Sequence, residues 1–550
     1  MKKRTKVVSV MLLSVVLLLA FVKPETDRSF EIIKNLDIFI TAFKEVNSYY
    51  VDEINPTQLM KTGLDAMLSS LDPYTDYIPE DAIEDYRTIT TGEYGGIGAL
   101  VDKKNGVSTI VLPYEGYPAY RAGLIAGDQI LEINGFDISD KSSSEISHLL
   151  KGQSKSELTL LVRRYGKDKP FKVTLEREKI TINNVPYYGM VTSDIGYIKL
   201  TDFTTGAGQE VRKAVVSLKD EGAKKIILDL RGNPGGLLNE AVNVSNVFVD
   251  KGLEVVTTKG KIKKDIRIYK TLNTPTDTEI PLAVLTSRGS ASASEIVSGV
   301  MQDYDRGVLV GQKTYGKGLV QQTRPLAYNS QLKVTTSKYY IPSGRCIQAI
   351  DYGHRNEDGS VGKIPDSLKA EFKTSKGRPV YDGGGVDPDI TVEVRQYAPI
   401  TYELMGNELI FDYATRYRFE HESIVSPKAF RVSDQEYDEF VSWLQSKNYD
   451  YTTQVEKDID KLTASAKKEK YYNDIAAQIE NLKKATLHNK GQDLQTFKDE
   501  IKALMEQEIC GRYYLQDGIV ESTFSRDLDI RKAIEVLEDA NLYEEILRMN

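Results

Sequence analysis

The sequence predicts a multidomain α+β chain with parallel βαβ units near its centre and helical regions at its N- and C-terminal ends. Three observations carry this. The runs "KKIILDL", "PLAVLTS" and "GVLVG" are apolar without alternation, and the helix-like runs "LLNEAVNVSNVFVD" and "SASEIVSGVMQDY" separate them. Such a series describes a largely parallel, buried sheet. Ahead of it, short β-patterned runs lie between turn signals. Beyond Ala398 the chain turns rich in Lys, Glu and Tyr with a helical period. With 550 residues there is room for three or four domains of ordinary size.

In chain order, "MKKRTKVVSVMLLSVVLLLAFVK" puts four positive charges before an apolar run from Val7 to Val22. Basic region and apolar run stand in the order of an export signal. No clean small-x-small cleavage site follows, and the run is slightly short for a relaxed span of ~20 residues. Residues 1–23 are therefore either a signal peptide or a retained anchor, and the rest of the chain is expected outside the cytoplasm. From Phe30 the apolar positions Ile33, Leu36, Phe39, Ile40 and Phe43 recur at helix spacing, giving a helical region over 30–83 closed by "LDPYTDYIP". Then come "GGIGALV", the tight "KNG" hairpin signal, the strand "QILEING" and the pair "SELTLLV" and "FKVTLER". The βαβ region runs over 179–395, and 396–550 reads as an appended helical domain.

Composition excludes several functions. A net charge of −8 and the lack of a long basic tract give no reason to bind nucleic acid. Cys346 and Cys510 have no metal-ligand spacing, nor do any two of the four histidines, so no zinc site is encoded.

Ligand sites of open parallel sheets form beyond the carboxyl ends of strands. Three loops meet there: "RGNPGG" (231–236), "SRGSASAS" (287–294) and "TYGKG" (314–318). The second places candidate serine nucleophiles at a helix start, where unpaired backbone N–H groups can stabilise an oxyanion. The helix that follows leads away by roughly 18 Å at ~1.5 Å per residue. The strand "GVLVG" returns roughly 17 Å, so Lys317 comes back near the serines. Histidine is scarce here, the nearest being His354 downstream and His148 upstream. A lysine made neutral by burial can serve as base instead. The prediction is a Ser/Lys dyad.

These segments resemble the carboxyl-terminal processing peptidases, or tail-specific proteases, a family of serine endopeptidases. The resemblance spans roughly residues 30–395 and rests on "LDPYTDYIP", "YPAYRAGLIAGDQILEING", "LDLRGNPGG", "GSASASEIVSGVMQDYDRGVLVGQKTYGKGLVQ", "YYIPSGRCIQ" and "GGGVDPDI". It implies a ββα-sandwich-like peptidase core and selects Ser292 as nucleophile, Lys317 as general base and Gln321 as third member. Ser290 and Ser294 become supports. The oxyanion hole is expected from the backbone N–H groups of Ala293 and of Gly236, preferred over Gly235. Asp303 matches an acidic position of the family, with a structural ion pair as its other reading. Residues 84–178 resemble an inserted PDZ domain, in which Gly96, Ile97 and Gly98 would hold a peptide carboxylate. Lys151 stands where relatives often carry an arginine linked to gating.

The function expected is a serine endopeptidase of the periplasm or cell envelope that recognises C-terminal tails of exported proteins and needs no metal or cofactor. Its partners are those protein substrates, with an inner-membrane anchor, self-association or an adaptor through the C-terminal helices left open. The alternatives are a catalytically silent PDZ scaffold and a hydratase or thioesterase on a similar core.

Overall fold

The computed structural model describes residues 25–261, 266–447, 449–486 and 490–548. The leader read in residues 1–23 lies outside them, and among the described residues no helix is long and apolar enough to cross a membrane. The chain divides into two compact units, Met1–Tyr77 and Ile78–Asn550. The first holds helices α1 (Glu25–Tyr49) and α2 (Pro56–Ser69), the latter started by Asn55, whose side chain accepts from the Thr57 and Gln58 amides. Four of the five periodic apolar residues of α1 are exposed, Ile33 at 67% and Leu36 at 55% among them, and Phe43 is half-buried.

In the second unit, helix α3 (Ile83–Thr91) leads into β1 (Glu93–Gly96). A small sheet follows, built from β2 (Ala99–Lys104), β3 (Val107–Pro113) and β4 (Gln129–Ile133). After helix α4 (Ser143–Leu150) it is completed by β5 (Glu157–Arg163) and β6 (Phe171–Glu176), in the order β2-β3-β4-β5-β6. A capping box starts α4: Ser142 accepts from the Glu145 amide, and the Glu145 carboxylate accepts from Ser142. Ile110, Leu124, Ile130, Leu158, Leu160 and Val162 form a core of its own inside this domain. Strand β7 (Glu178–Thr181) then pairs with β1, so the domain is inserted between two antiparallel partners.

The largest sheet runs β8 (Tyr187–Met190), β9 (Ile195–Lys199), β10 (Lys225–Asp229), β13 (Leu282–Thr286), β14 (Val308–Gly311), β17 (Ile390–Thr391). Only the β8–β9 pair is antiparallel. Helices α5 (Ala207–Asp220), α6 (Leu238–Phe248) and α7 (Ala293–Asp303) make the crossovers. A second, antiparallel sheet is formed by β11 (Glu254–Gly260), β12 (Arg267–Lys270), β15 (Leu319–Pro325) and β16 (Gln331–Tyr340).

The lack of alternation in "KIILD" has a direct structural cause. Ile226 and Leu228 face α5, α6, α7 and the second sheet, in one core. Ile227 faces the opposite side, where Phe524, Ile530, Ala533, Val536 and Leu547 cover it. Those residues come from the C-terminal helical region: α8 (Pro399–Gly406), α9 (Leu409–Glu420), α10 (Asp434–Leu444), α11 (Gln454–Lys468), α12 (Tyr472–Thr486), α13 (Lys498–Glu521), α14 (Leu528–Glu538) and α15 (Ala540–Leu547). Residues from α8 to α10 and the first half of α13 form a separate core around Tyr437 and Phe440. The last two helices are instead the second cover of the parallel sheet. At the expected acidic position, Asp303 lies 2.9 Å from Arg345 in a buried ion pair. Cys346 and Cys510 are free thiols.

Candidate active site

The serine turn is a short connection between the fully buried strand β13 and helix α7. Ser292 ends it with φ 54° and ψ −111°. A non-glycine residue there is strained, and such strain persists only where surrounding contacts over-determine it. Sharp strand–turn–helix elbows of this kind push a serine hydroxyl out of the backbone. The contacts are present. Ser290 Oγ donates to Leu230 O at 2.8 Å and Ser294 Oγ donates to Asn233 O at 2.9 Å. The Ala291 amide donates to Asn233 O at 3.0 Å. Ser290 and Ser294 are fully buried, whereas Ser292 between them is partly exposed.

Sequence reasoning did not single out the residue that joins the serine and lysine loops, Glu295. Its carboxylate is fully buried one turn into α7. Oε2 accepts from the Ser292 amide and from the Lys317 amide, each at 2.9 Å. Oε1 accepts from the Gly316 amide at 2.7 Å and from Thr314 Oγ1 at 2.6 Å. The backbones of residues 292 and 317 are thus no further apart than two hydrogen bonds laid end to end. Burial holds the Glu295 carboxyl above the usual carboxylate range, and these four donors offset only part of that rise. The Tyr315 amide adds a further tie, to Ser290 O at 3.0 Å. The signal for Glu295 was in the sequence as the Ser-x-x-Glu spacing of a helix start at 292–295.

Lys317 is half-buried in the segment between β14 and β15. Gln321 lies on β15, where its Nε2 donates to Thr335 Oγ1 of β16 at 3.0 Å, beside a register shift of that pair. Tyr339, buried in β16, donates its hydroxyl to Ser292 O at 3.2 Å.

The two glycines of "NPGG" have separate jobs. Gly235 (φ +97°) lies against the serine turn, and a Cβ there would fall 2.8 Å from both Ser292 Cβ and Ala293 N. Its own amide is taken by Asn233 Oδ1 at 2.8 Å. Gly236 bridges to Phe203, and the adjacent Leu237 amide donates to Phe203 O. Among the described residues, neither the Gly236 nor the Ala293 amide has a hydrogen-bond acceptor. These are the two amides named for the oxyanion.

In the inserted domain, β2 is an edge strand facing α4. Between them lies a cavity of about 220 Å³ lined by Gly96, Ile97, Leu100, Ile146, Leu150 and Lys151 among others. Gly98 is not in that lining. Its φ of +70° turns the chain against Tyr117, and its carbonyl accepts from the Tyr114 amide at 2.9 Å. Lys151 pairs with Asp85 of α3 at 2.8 Å and sits over the Tyr94 ring.

The parallel sheet thus presents a strained serine at a strand–helix elbow, with a lysine segment pinned to the same helix. Comparison with known proteins identifies the class. Residues 194–354 match the sequence model of Peptidase family S41, residues 109–164 that of a PDZ domain, and residues 400–537 that described as "Probable PDZ-protease, C-terminal helical domain". The chain is 38% identical over 322 residues to a carboxy-terminal-processing protease of Bartonella bacilliformis, covering 58% of this chain and 73% of that one. It is 37% identical over 316 residues to a probable CtpA-like serine protease of Staphylococcus aureus, covering 57% and 62%. Among solved structures it is similar to a photosystem II D1 C-terminal processing protease, with 26% identity, a TM-score of 0.35, and coverage of 64% of this chain and 92% of that one. The chain belongs to Peptidase family S41, as a C-terminal-processing serine protease with a PDZ domain.

Proposed function

We propose that this protein is an endopeptidase in which Ser292 attacks the scissile carbonyl and Lys317 takes its proton. The bond from Ser292 Oγ to the carbonyl carbon forms as the proton passes to a neutral Lys317 amine. The C–N bond then breaks, and the protonated lysine returns the proton to the leaving amine. Water then attacks the ester carbon as the same lysine takes its proton; the bond from that carbon to Ser292 Oγ breaks, and the lysine returns the proton to Oγ. Gln321 orients the amine without adding charge, and the Gly236 and Ala293 amides receive the oxyanion. The observation that carries this reading is the shared Glu295 carboxylate, which binds the amides of both proposed partners.

Substrates are captured by their C-terminal tails. An extended peptide would add to the free edge of β2, its last side chain entering the apolar pocket of Ile97, Ile146 and Leu150 and its carboxylate meeting the Gly96–Gly98 turn. The site of action is the cell envelope, reached through the leader in residues 1–23, cleaved or kept as an anchor. The test is digestion of a folded exported protein with and without an apolar tail. Wild type should cut only the tailed form, and Ser292→Ala should cut neither. Equal cutting by Ser292→Ala would overturn the assignment, and binding of the tailed protein by wild type without any cutting would favour the silent scaffold.

A further inference from the structure

We infer that Asp527 and Asp529, at the start of α14 in the C-terminal helical region, are positioning residues of the active site, acting through Arg231 on the loop that carries the Gly236 amide. This rests on the oxyanion reading above. Arg231 follows β10 directly and divides its guanidinium between two parts of the chain. Nε and Nη2 donate to the Asp229 carboxylate at 3.0 and 2.7 Å. Nη1 donates to both oxygens of Asp527 at 2.9 Å and to Asp529 Oδ2 at 2.7 Å. Asp229 is fully buried and also accepts from Tyr197 Oη at 2.6 Å and Lys199 Nζ at 3.1 Å. The planar fork fixes both distance and angle, which a lysine could not do.

The loop from 231 to 236 needs an external hold. Gly232, Gly235 and Gly236 all have positive φ, at +71°, +97° and +155°, conformations glycine adopts without strain, so the loop's place is set by the hydrogen bonds it makes to its surroundings. Two residues beyond Arg231, Asn233 ties this loop to the serine turn. Its carbonyl accepts from the Ala291 amide and Ser294 Oγ, its Oδ1 accepts from the Gly235 amide, and its Nδ2 donates to Leu200 O. A shift at Arg231 is therefore transmitted to both proposed oxyanion amides. Asp527 is also the N-cap of α14, accepting from the Ile530 amide at 3.0 Å, so the carboxylate is held by the helix whose apolar face covers the sheet. Docking of that helix and alignment of the loop become one event.

The experiment uses the full-length protein and three readouts: the rate at which a fluorophosphonate labels Ser292, kcat and KM on a tailed peptide, and thermal midpoint. Asp527→Asn combined with Asp529→Asn should lower labelling rate and kcat by about tenfold to a hundredfold, as small misplacements of catalytic groups do, with KM within about twofold. Tyr437→Phe, which removes a buried hydrogen bond to Leu494 O inside the helical region, is the control for stability loss and should keep both rates. Should the double variant lose its cooperative thermal transition, Asp529→Asn alone decides, with a smaller fall in the same two rates expected. Unchanged labelling and kcat in the variants, beside an inert Ser292→Ala, would overturn this inference alone. A Ser292→Ala protein that still cuts would overturn the underlying assignment and the inference with it.

Discussion

The serine turn and the peptide groove solve opposite problems. At the turn, the groups that surround the two unpartnered amides of Gly236 and Ala293 are already committed: two buried serines, Asn233 and Glu295 bind the backbone from both sides of Ser292. At the groove, a strand edge stays unpaired among the described residues, and the nearest ion pair, Lys151–Asp85, is 32% and 42% exposed. Transition-state stabilisation requires groups that need no reorganisation when charge develops. Capture by strand addition requires backbone groups that still lack partners. Substitutions should therefore act on rate at the turn and on affinity at the groove.

The largest effect is expected at Glu295. Glu295→Ala strands four donors, of which those of Thr314 and Gly316 are buried, and leaving a buried donor unsatisfied costs about 1–3 kcal/mol before relaxation. Chemical denaturation should show a loss of about 3 kcal/mol or more, with cleavage abolished. Retention of wild-type stability would show that the two loops are held by other means.

A matched pair of glycine substitutions sharpens the contrast. Gly235→Ala would put a methyl 2.6 Å from Ala291 O and 2.8 Å from Ala293 N, contacts with backbone that cannot yield cheaply. It should lower kcat by about a hundredfold, comparable to loss of an oxyanion donor, with little change in binding of a tail peptide. Gly98→Ala meets the Tyr117 side chain at 2.3 Å. It should raise KM for tailed substrates by about tenfold, the equivalent of one lost hydrogen bond, and leave kcat nearly unchanged. If both variants lost only kcat, the division of labour would be wrong. The smallest effect belongs to Asp85→Asn, which removes a half-exposed ion pair and should change stability by no more than about 0.5 kcal/mol in thermal melts.

Local pattern made much of this legible. "KIILD" announced a parallel strand, and the distance balance between helix and strand anticipated that the backbones of residues 292 and 317 lie close, as their shared contact with Glu295 shows. Contacts made over long separations were not legible. Unalternated strands require cover on both faces, yet nothing local in α14 and α15 names them as the second cover, and the helical region read as an appended domain. Arg231 and Asp527 are 296 residues apart, so no spacing rule connects them. The apolar period of α1 indicated a helix correctly but carried no information on what, if anything, it packs against, because periodicity reports a face and not its partner. Glu295 was overlooked although its spacing from Ser292 is that of a capping box; a local cap motif gives no hint that the carboxylate also reaches the lysine loop.

The chemistry proposed for the active site depends on Lys317 acting as the base for Ser292. It is tested most directly by the pH dependence of Ser292 acylation under single-turnover conditions, in wild type and in Lys317→Ala. The wild-type rate should rise with pH as one amine loses its proton, and Lys317→Ala should be slower by about a thousandfold with that pH dependence gone. A Lys317→Ala enzyme that acylates at the wild-type rate, or that keeps the same pH profile, would contradict it.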